Sequence, residues 1–185
     1  YVTKESGPTN QELPSYAHAV GAVYRNADPS DIVVTAAGGL VGEVVQIWKP
    51  KELNTFETEW GFSCMGYEIS GALGIKMAKP DQDVIVFVGD GSYLLQNSDI
   101  YSSIMYDKKL IIVVCDNGGH MVINRLQLAK GGKEYLCNLR SAKASNMQFV
   151  NFEAHAKSMG ANAETVKLTS ELEAAFKRAK KSNKT

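Results

Sequence analysis

DVIVFVGDGSYLLQNSDIYSSIMYDKKLIIVVCDNGG, residues 83–119, holds two apolar runs with a helical pattern between them. Both runs, 83–88 and 110–115, are continuous rather than alternating, which is the pattern of strands buried on both faces. Residues 93–106 between them predict a helix. A strand, a crossover helix and a second strand of this kind form a β-α-β unit in a parallel sheet covered by helices. Each strand runs into a polar turn. Gly89-Asp90-Gly91-Ser92 follows the first, and Asp116-Asn117-Gly118-Gly119 follows the second.

Outward from this unit the same alternation continues. Leu13, Tyr16, Val20 and Val23 predict a helix over 11–25, capped by Thr9 or Asn10. Residues 31–37 are a β-branched strand that ends in a loop at Gly38 and Gly39, and 44–48 predict a short helix. Residues 64–78 have helical spacing closed by Pro80, with Gly66, Gly71 and Gly74 inside. A glycine costs a helix about 1 kcal/mol relative to alanine, so three of them predict close approach of another backbone or tight packing on the sheet. Residues 120–148 read as loose, 152–159 as a helix, 163–168 as a strand and 170–181 as a basic-ended helix. The fold class is therefore α/β, a three-layer α/β/α arrangement with a mostly parallel sheet whose last edge strand is absent. No repeat or boundary divides it, so 1–185 is read as one domain.

Composition narrows the function. The 185 residues carry 20 Lys+Arg against 20 Asp+Glu, a formal net charge of +0. That leaves no basic footprint for a nucleic-acid backbone. The longest aliphatic runs fall far short of the roughly 20 residues that span a bilayer. Three single cysteines, Cys64, Cys115 and Cys137, without a CxxC pair, fit a reducing cytoplasm better than a disulfide framework. The chain opens on Tyr1 with no charged-then-apolar leader and reads as a piece of something longer.

The two turns carry the chemistry. Backbone amides at a strand-to-helix turn suit a phosphate, yet Asp90 sits among them, and a carboxylate beside a phosphate requires a bridging divalent cation. Asp90 and Asn117 are 117 − 90 = 27 residues apart, which places both at the carboxyl ends of parallel strands, about 4.8 Å apart if those strands are neighbours. A carboxylate, an amide oxygen and a main-chain carbonyl freed by the glycine pair, completed by phosphate oxygens, suit Mg²⁺. Alone, Asp90 is an ordinary helix cap and Asn117-Gly118 an ordinary turn. The sequence satisfies neither GxGxxG nor GxxxxGK[ST]. His120 is a candidate acid or base, or a surface-loop histidine. His18 and His155 have no metal-site spacing.

GDGS at 89–92 and DNGG at 116–119 resemble the two halves of the thiamine diphosphate motif. The resemblance implies that Asp90, Asn117 and the Gly119 carbonyl hold Mg²⁺ while Gly89, Gly91 and Ser92 meet the diphosphate. EWGFSCMGYE at 59–68 resembles a stretch of the acetolactate synthase superfamily. There the residue matching Met65 wedges beneath the cofactor, the carbonyl matching Ser63 takes a hydrogen bond from its aminopyrimidine, Cys64 lies between them, and Gly38 and Gly39 border the aminopyrimidine. Without that likeness Met65 is core filler.

Within the superfamily, AAGGLVGEVVQIW (36–48), EWGFSCMGYEISGALG (59–74) and VGDGSYL (88–94) are similar to the ring-opening hydrolases of myo-inositol breakdown. The likeness covers roughly 31–127 and continues more weakly to 179, with a departure at Met121, where relatives often carry glycine. It implies C–C bond cleavage in a cyclic 1,2-diketone by a larger cytoplasmic homo-oligomer. The cofactor-activating glutamate comes from a separate pyrimidine-binding domain that no segment here resembles. Glu59 and Glu68 are not that residue; Glu68 reads as a helix-start partner behind the site, or as a substrate contact. The 185 residues alone are expected to be catalytically silent. Two alternatives stay open, an acetolactate synthase-like or 2-oxoacid decarboxylase-like thiamine enzyme, and a non-catalytic α/β binding or assembly module.

Overall fold

The computed structural model describes residues 6–9, 14–144 and 146–185. Its strands are β1 (Ile32–Thr35), β2 (Phe56–Thr58), β3 (Val84–Gly89) and β4 (Ile111–Cys115), and they form one all-parallel sheet in the order β2-β1-β3-β4. The helices are α1 (Tyr16–Asn26), α2 (Gly38–Ile47), α3 (Tyr67–Ala78), α4 (Asp90–Leu95), α5 (Ser98–Met105), α6 (Met121–Ala129), α7 (Phe152–Ser158) and α8 (Thr169–Lys181).

Strand parity sorts the interior into two cores. Val33, Ile85, Phe87 and Ile111 point to one face and pack on Val20 and Val23 of α1, Leu40, Val44 and Ile47 of α2, and Phe176 of α8. Ile32, Val34, Val84, Val86 and Val88 point to the other and meet Ile69, Ala72 and Leu73 of α3, Tyr93 of α4 and Ile100 of α5, with Phe152 and Ala156 of α7 alongside. Successive strand side chains alternate faces, so continuous apolar strands require helices on both sides. The three-layer α/β/α class read from the sequence is the one observed.

Several elements differ in detail from the sequence-based expectation. The start of the 11–25 helix and its Asn10 cap lie outside the described residues; α1 begins at Tyr16, capped by Ser15, whose Oγ accepts from the His18 N–H at 3.4 Å. Gly38 and Gly39 are the first residues of α2 rather than a loop, because Leu40, Val41, Val44 and Ile47 already bury a helical face and make 44–48 its second half. The 93–106 helix is two helices. The Asn97 amide nitrogen donates to the carbonyls of Tyr93 (3.1 Å) and Leu94 (3.4 Å), taking acceptors that a continuing helix would use.

The three-glycine expectation for α3 fails at two positions. A Cβ on Gly71 would meet the helix's own Tyr67 ring, and one on Gly74 would meet nothing within 4 Å. Only Gly66, before the helix, is pressed by another segment: its Cβ would lie 2.6 Å from Gln96 Cβ, and its φ of +99° is left-handed. Residues 163–168 do not form the expected strand. Next to them the Asn162 N–H donates to the Thr185 carbonyl (2.7 Å), and Thr185 Oγ1 accepts the Leu110 N–H (3.0 Å), so the threonine stands between that segment and the start of β4. The loose stretch 120–148 contains α6 and a 3₁₀ turn at Leu139–Ser141, and the three-residue edge strand β2 was not expected.

The amino edge of the sheet is tied by charge. Lys180 Nζ lies 2.6 Å from Asp31, 2.8 Å from Asp28 and 3.1 Å from Asp83, and Lys109 Nζ lies 2.7 Å from Asp83. Burial pushes the Asp31 carboxyl up despite its bonds to Lys180. At Asp83 burial acts the same way but is outweighed by hydrogen bonds from Lys109 and Lys180, which hold its carboxyl below the ordinary range. Among the described residues no helix is long and apolar enough to cross a membrane. All three cysteines are free.

Lys180→Met strands the buried Asp31 carboxylate without its cation and is expected to cost about 3 kcal/mol in denaturant unfolding at neutral pH. The lowered pKa of Asp83 makes its contribution complete above the ordinary carboxylate range near pH 4 and lost as the pH falls through the folded value. Asp83→Asn should therefore be less stable than the parent at pH 7 and converge with it on acidification, measured as urea midpoints between about pH 7 and pH 3.

Candidate functional site

β3 and β4 are neighbours, and Gly89 pairs in register with Cys115. The next residues, Asp90 and Asp116-Asn117, therefore leave the sheet side by side. The turn after β4 reverses through Gly118 (φ +81°) and Gly119 (φ +134°). A Cβ on Gly119 would lie 2.3 Å from the Cys137 carbonyl oxygen, so only glycine fits there. The same strand of loop is bracketed from outside. The His120 N–H donates to the Cys137 carbonyl (2.8 Å), and the Leu139 N–H donates to the Gly118 carbonyl (2.9 Å). The Met121 N–H closes on the Gly119 carbonyl at 3.0 Å, so the loop turns tightly with methionine at that position.

Asp90 is 3 % exposed, and its Oδ2 accepts the Gly119 N–H at 2.7 Å. Burial pushes its carboxyl up, opposed by the Gly119 N–H, pushed further by the nearby Asp116 and relieved by the N–H groups of Gly91 and Asn117. Among the described residues no lysine or arginine forms a salt bridge with it. Among the described residues no group of three or more His, Cys, Asp or Glu side chains is arranged to hold a metal ion by itself. A buried carboxylate without a cationic partner, beside an amide and main-chain carbonyls, is a donor set of hard oxygens. It suits a Mg²⁺ ion whose remaining ligands are phosphate oxygens, and does not suit Zn²⁺.

Asn117 is exposed, and its Nδ2 donates to the Tyr16 hydroxyl, a contact across 117 − 16 = 101 residues of chain. Burial pushes the Tyr16 phenol up to about 12, the Asn117 bond acting against it. Behind Asp90, Tyr93 fixes α4 against α7. Its hydroxyl lies 2.9 Å from His155 Nδ1, and its ring meets Phe152 edge-on at 5.1 Å.

Between the strand tips lies a cleft of about 60 Å³ lined by Gly38, Gly39, Met65, Gly89, Asp90, Gly91, Ser92, Asn117, Gly119 and His120. These sequence-derived candidates share one wall system with four residues the sequence did not single out, Tyr16, Ala37, Leu40 and Val122, and with Met121. Ser63 and Cys64 do not line the cleft. They form an adjoining turn in which Ser63 is left-handed (φ +51°) and the half-buried Glu59 accepts the N–H groups of Phe62 (3.1 Å) and Cys64 (2.8 Å). The Glu59 hydrogen bond raises the Cys64 thiol above its ordinary value.

Met65 and His120 converge on one glycine. A Cβ on Gly91 would lie 2.7 Å from His120 Nδ1 and 3.3 Å from Met65 Cε. His120 is thus a cleft residue, although the backbone around it is a loop. Glu68, 1 % exposed, accepts the Gly66 N–H at 2.8 Å and the Ala37 N–H at 3.2 Å. It joins the turn carrying Met65 to the backbone just before α2. In this position its carboxylate supports the backbone behind the cleft, the first of the two readings of Glu68.

Parallel strands whose tips hold an acid without a cationic partner, an amide and a glycine turn around a shared cleft are the carboxyl edge at which open α/β domains bind their ligands. The chain belongs to the family described as thiamine pyrophosphate enzyme, C-terminal TPP binding domain, whose model matches residues 36–185. It is 39% identical over 163 residues to the 3D-(3,5/4)-trihydroxycyclohexane-1,2-dione hydrolase of Halalkalibacterium halodurans, an alignment covering 88% of this chain and 25% of that protein. The protein of the same name from Lacticaseibacillus casei is 43% identical over 163 residues, with 88% of this chain and 25% of the relative covered. The chain thus spans about a quarter of the length of the curated relatives it matches. A solved structure of the thiamine diphosphate-dependent 4-hydroxybenzoylformate decarboxylase of Rhodococcus jostii superposes with a TM-score of 0.82 at 17% identity, over 95% of this chain and 32% of that one, a likeness of fold.

Glu68→Ala removes the acceptor of two buried N–H groups and is expected to lower stability by about 2–4 kcal/mol. Glu68→Gln, which keeps one acceptor oxygen, should recover a large part of the loss in the same denaturant titration.

Proposed function

We propose that this chain is the diphosphate- and Mg²⁺-binding domain of a larger thiamine diphosphate-dependent hydrolase that opens the ring of a trihydroxylated cyclohexane-1,2-dione by C–C bond cleavage. The observation that carries the reading is the combination of about 40% identity to hydrolases of that name with an unpaired, buried Asp90 at the tip of β3. Asp90, the Asn117 Oδ1 and the Gly119 carbonyl hold the cation, and the amides of Gly91 and Ser92 meet the diphosphate. Gly38, Gly39 and Gly89 supply wall without side chains, Met65 supports the cofactor from below, and Ser63 and Cys64 adjoin its aminopyrimidine end.

Thiamine diphosphate, when bound, supplies the nucleophilic carbon and the electron sink for cleavage beside a carbonyl. The residues of this chain bind and orient it. Burial of Asp90 makes its charge costly until a dication arrives, so cation and diphosphate favour each other's binding. His120, which lies beside Gly91 at the cleft, is proposed to donate a hydrogen bond to a phosphate oxygen or to move a proton there.

We assign the whole of 1–185 to one cofactor domain. The pyrimidine-binding half and the activating glutamate come from elsewhere in the full-length protein, which works as a homo-oligomer. The reducing cytoplasm suits its three free cysteines.

In calorimetry on the full-length protein, Asp90→Ala is expected to abolish the Mg²⁺-dependent part of thiamine diphosphate binding; an unchanged isotherm would remove Asp90 from the metal site. Product analysis should give an open-chain deoxyuronic acid from the cyclic diketone, whereas acetolactate or an aldehyde from a 2-oxoacid would move the assignment to another branch. Purified on its own, the 185-residue chain should show no turnover.

A further inference from the structure

An asparagine that ligates a hard cation has to present its oxygen, and nothing in the backbone decides which end of the amide that is. The two ends are nearly the same size, and the choice falls to whatever engages the nitrogen. Asn117 is exposed, sits beyond the last residue of β4 and is followed by two glycines with left-handed φ, so its own loop offers no such control. The nitrogen is engaged from a distant part of the chain. Asn117 Nδ2 donates to the hydroxyl of Tyr16, the first residue of α1. That helix is anchored on the sheet through Ala17, Val20 and Val23, and Tyr16 itself stands in the cleft wall beside Gly39.

We propose that Tyr16 is a positioning residue for the cation site: by accepting from the Asn117 amide nitrogen it turns Oδ1 toward the Asp90 side of the cleft. The proposal rests on the reading of Asn117 as a metal ligand. A phenol has an alternative, because it can also donate to Oδ1. In that arrangement Tyr16 would compete with the cation for the same lone pair. The two cases differ in sign. An orienting tyrosine strengthens cation binding, and a competing one weakens it.

The test is calorimetry of thiamine diphosphate binding to the full-length protein at a series of Mg²⁺ concentrations, with Tyr16→Phe, Asn117→Ala and the double variant. Outer partners of metal ligands typically account for about 10–100-fold in metal affinity. Tyr16→Phe is therefore expected to raise the half-saturating Mg²⁺ about tenfold. Asn117→Ala should raise it at least as much, and the double variant should match Asn117→Ala rather than add to it. Thermal unfolding without Mg²⁺ or cofactor should be the same for Tyr16→Phe and the parent, since phenylalanine keeps the packing and a merely structural tyrosine would show its loss there. If Asn117→Ala leaves the Mg²⁺ dependence unchanged, the ligand reading of Asn117 falls and Tyr16 falls with it. If Asn117→Ala weakens the metal while Tyr16→Phe has no effect, tightens it, or adds to the asparagine variant, Asn117 stays a ligand and the role of Tyr16 alone is overturned.

Discussion

The parallel ladder between β3 and β4 is the constraint on which the cleft depends. With Gly89 opposite Cys115, the residues that follow each strand emerge at the same level of the sheet. A slip of one residue would move one tip by about 3.3 Å and turn its whole strand over. Phe87 and Ile85 would then face the core now filled by Val86 and Val88. The two apolar cores thus hold the register, and the register holds Asp90 beside the 116–119 loop. Packing in the sheet interior is in this sense the positional control of the site.

Beyond the strand tips, the architecture is made by carboxylates that collect backbone N–H groups. Glu59 gathers Phe62 and Cys64, Glu68 gathers Gly66 and Ala37, and Asp90 gathers Gly119. Glu59 and Glu68 close local turns, and Glu68 and Asp90 also tie together segments that no ladder hydrogen bond joins. The segment 137–139 completes the arrangement by clamping Gly118 and His120 from outside. Loose composition in that stretch conceals a buttress.

The sequence revealed those features that periodicity or motif chemistry encodes. The buried strands, the three layers and the placement of Asp90 and Asn117 at neighbouring strand tips follow from continuous apolar runs and from a spacing of 27 residues. Contacts made by unlike parts of the chain were not legible. Tyr16 reads as one apolar position of a helix, and nothing local says that its hydroxyl meets Asn117. The break at Gln96 and Asn97 arises from a side-chain amide turning back on carbonyls, which a periodicity cannot register. The strand expected at 163–168 has the right residues, but no strand among the described residues pairs with it, since β-structure is decided by pairing and not by composition. α6 was hidden because its apolar residues Ile123, Leu126 and Leu128 are exposed and trace no buried face.

The two edges of the sheet show how one residue type comes to opposite uses. At the amino edge Asp31 and Asp83 precede β1 and β3, and the fold itself supplies their cations through Lys180 and Lys109. Those charges are paired within the folded chain: the bonds outweigh burial at Asp83, which contributes to stability, and soften its cost at Asp31. At the carboxyl edge Asp90 is as deeply buried as Asp31, and the described residues offer it N–H groups but no ammonium or guanidinium. Hydrogen bonds from amides soften the cost of that burial without cancelling the charge. The difference lies in what each edge leaves for a ligand to do. An acid paired within its own protein has no further use for a cation, whereas one held dry and without a cationic partner would gain most from a cation bound beside it. Internally paired carboxylates thus lie at one end of the strands and an acid without a cationic partner at the other, the end where open α/β sheets place their ligands.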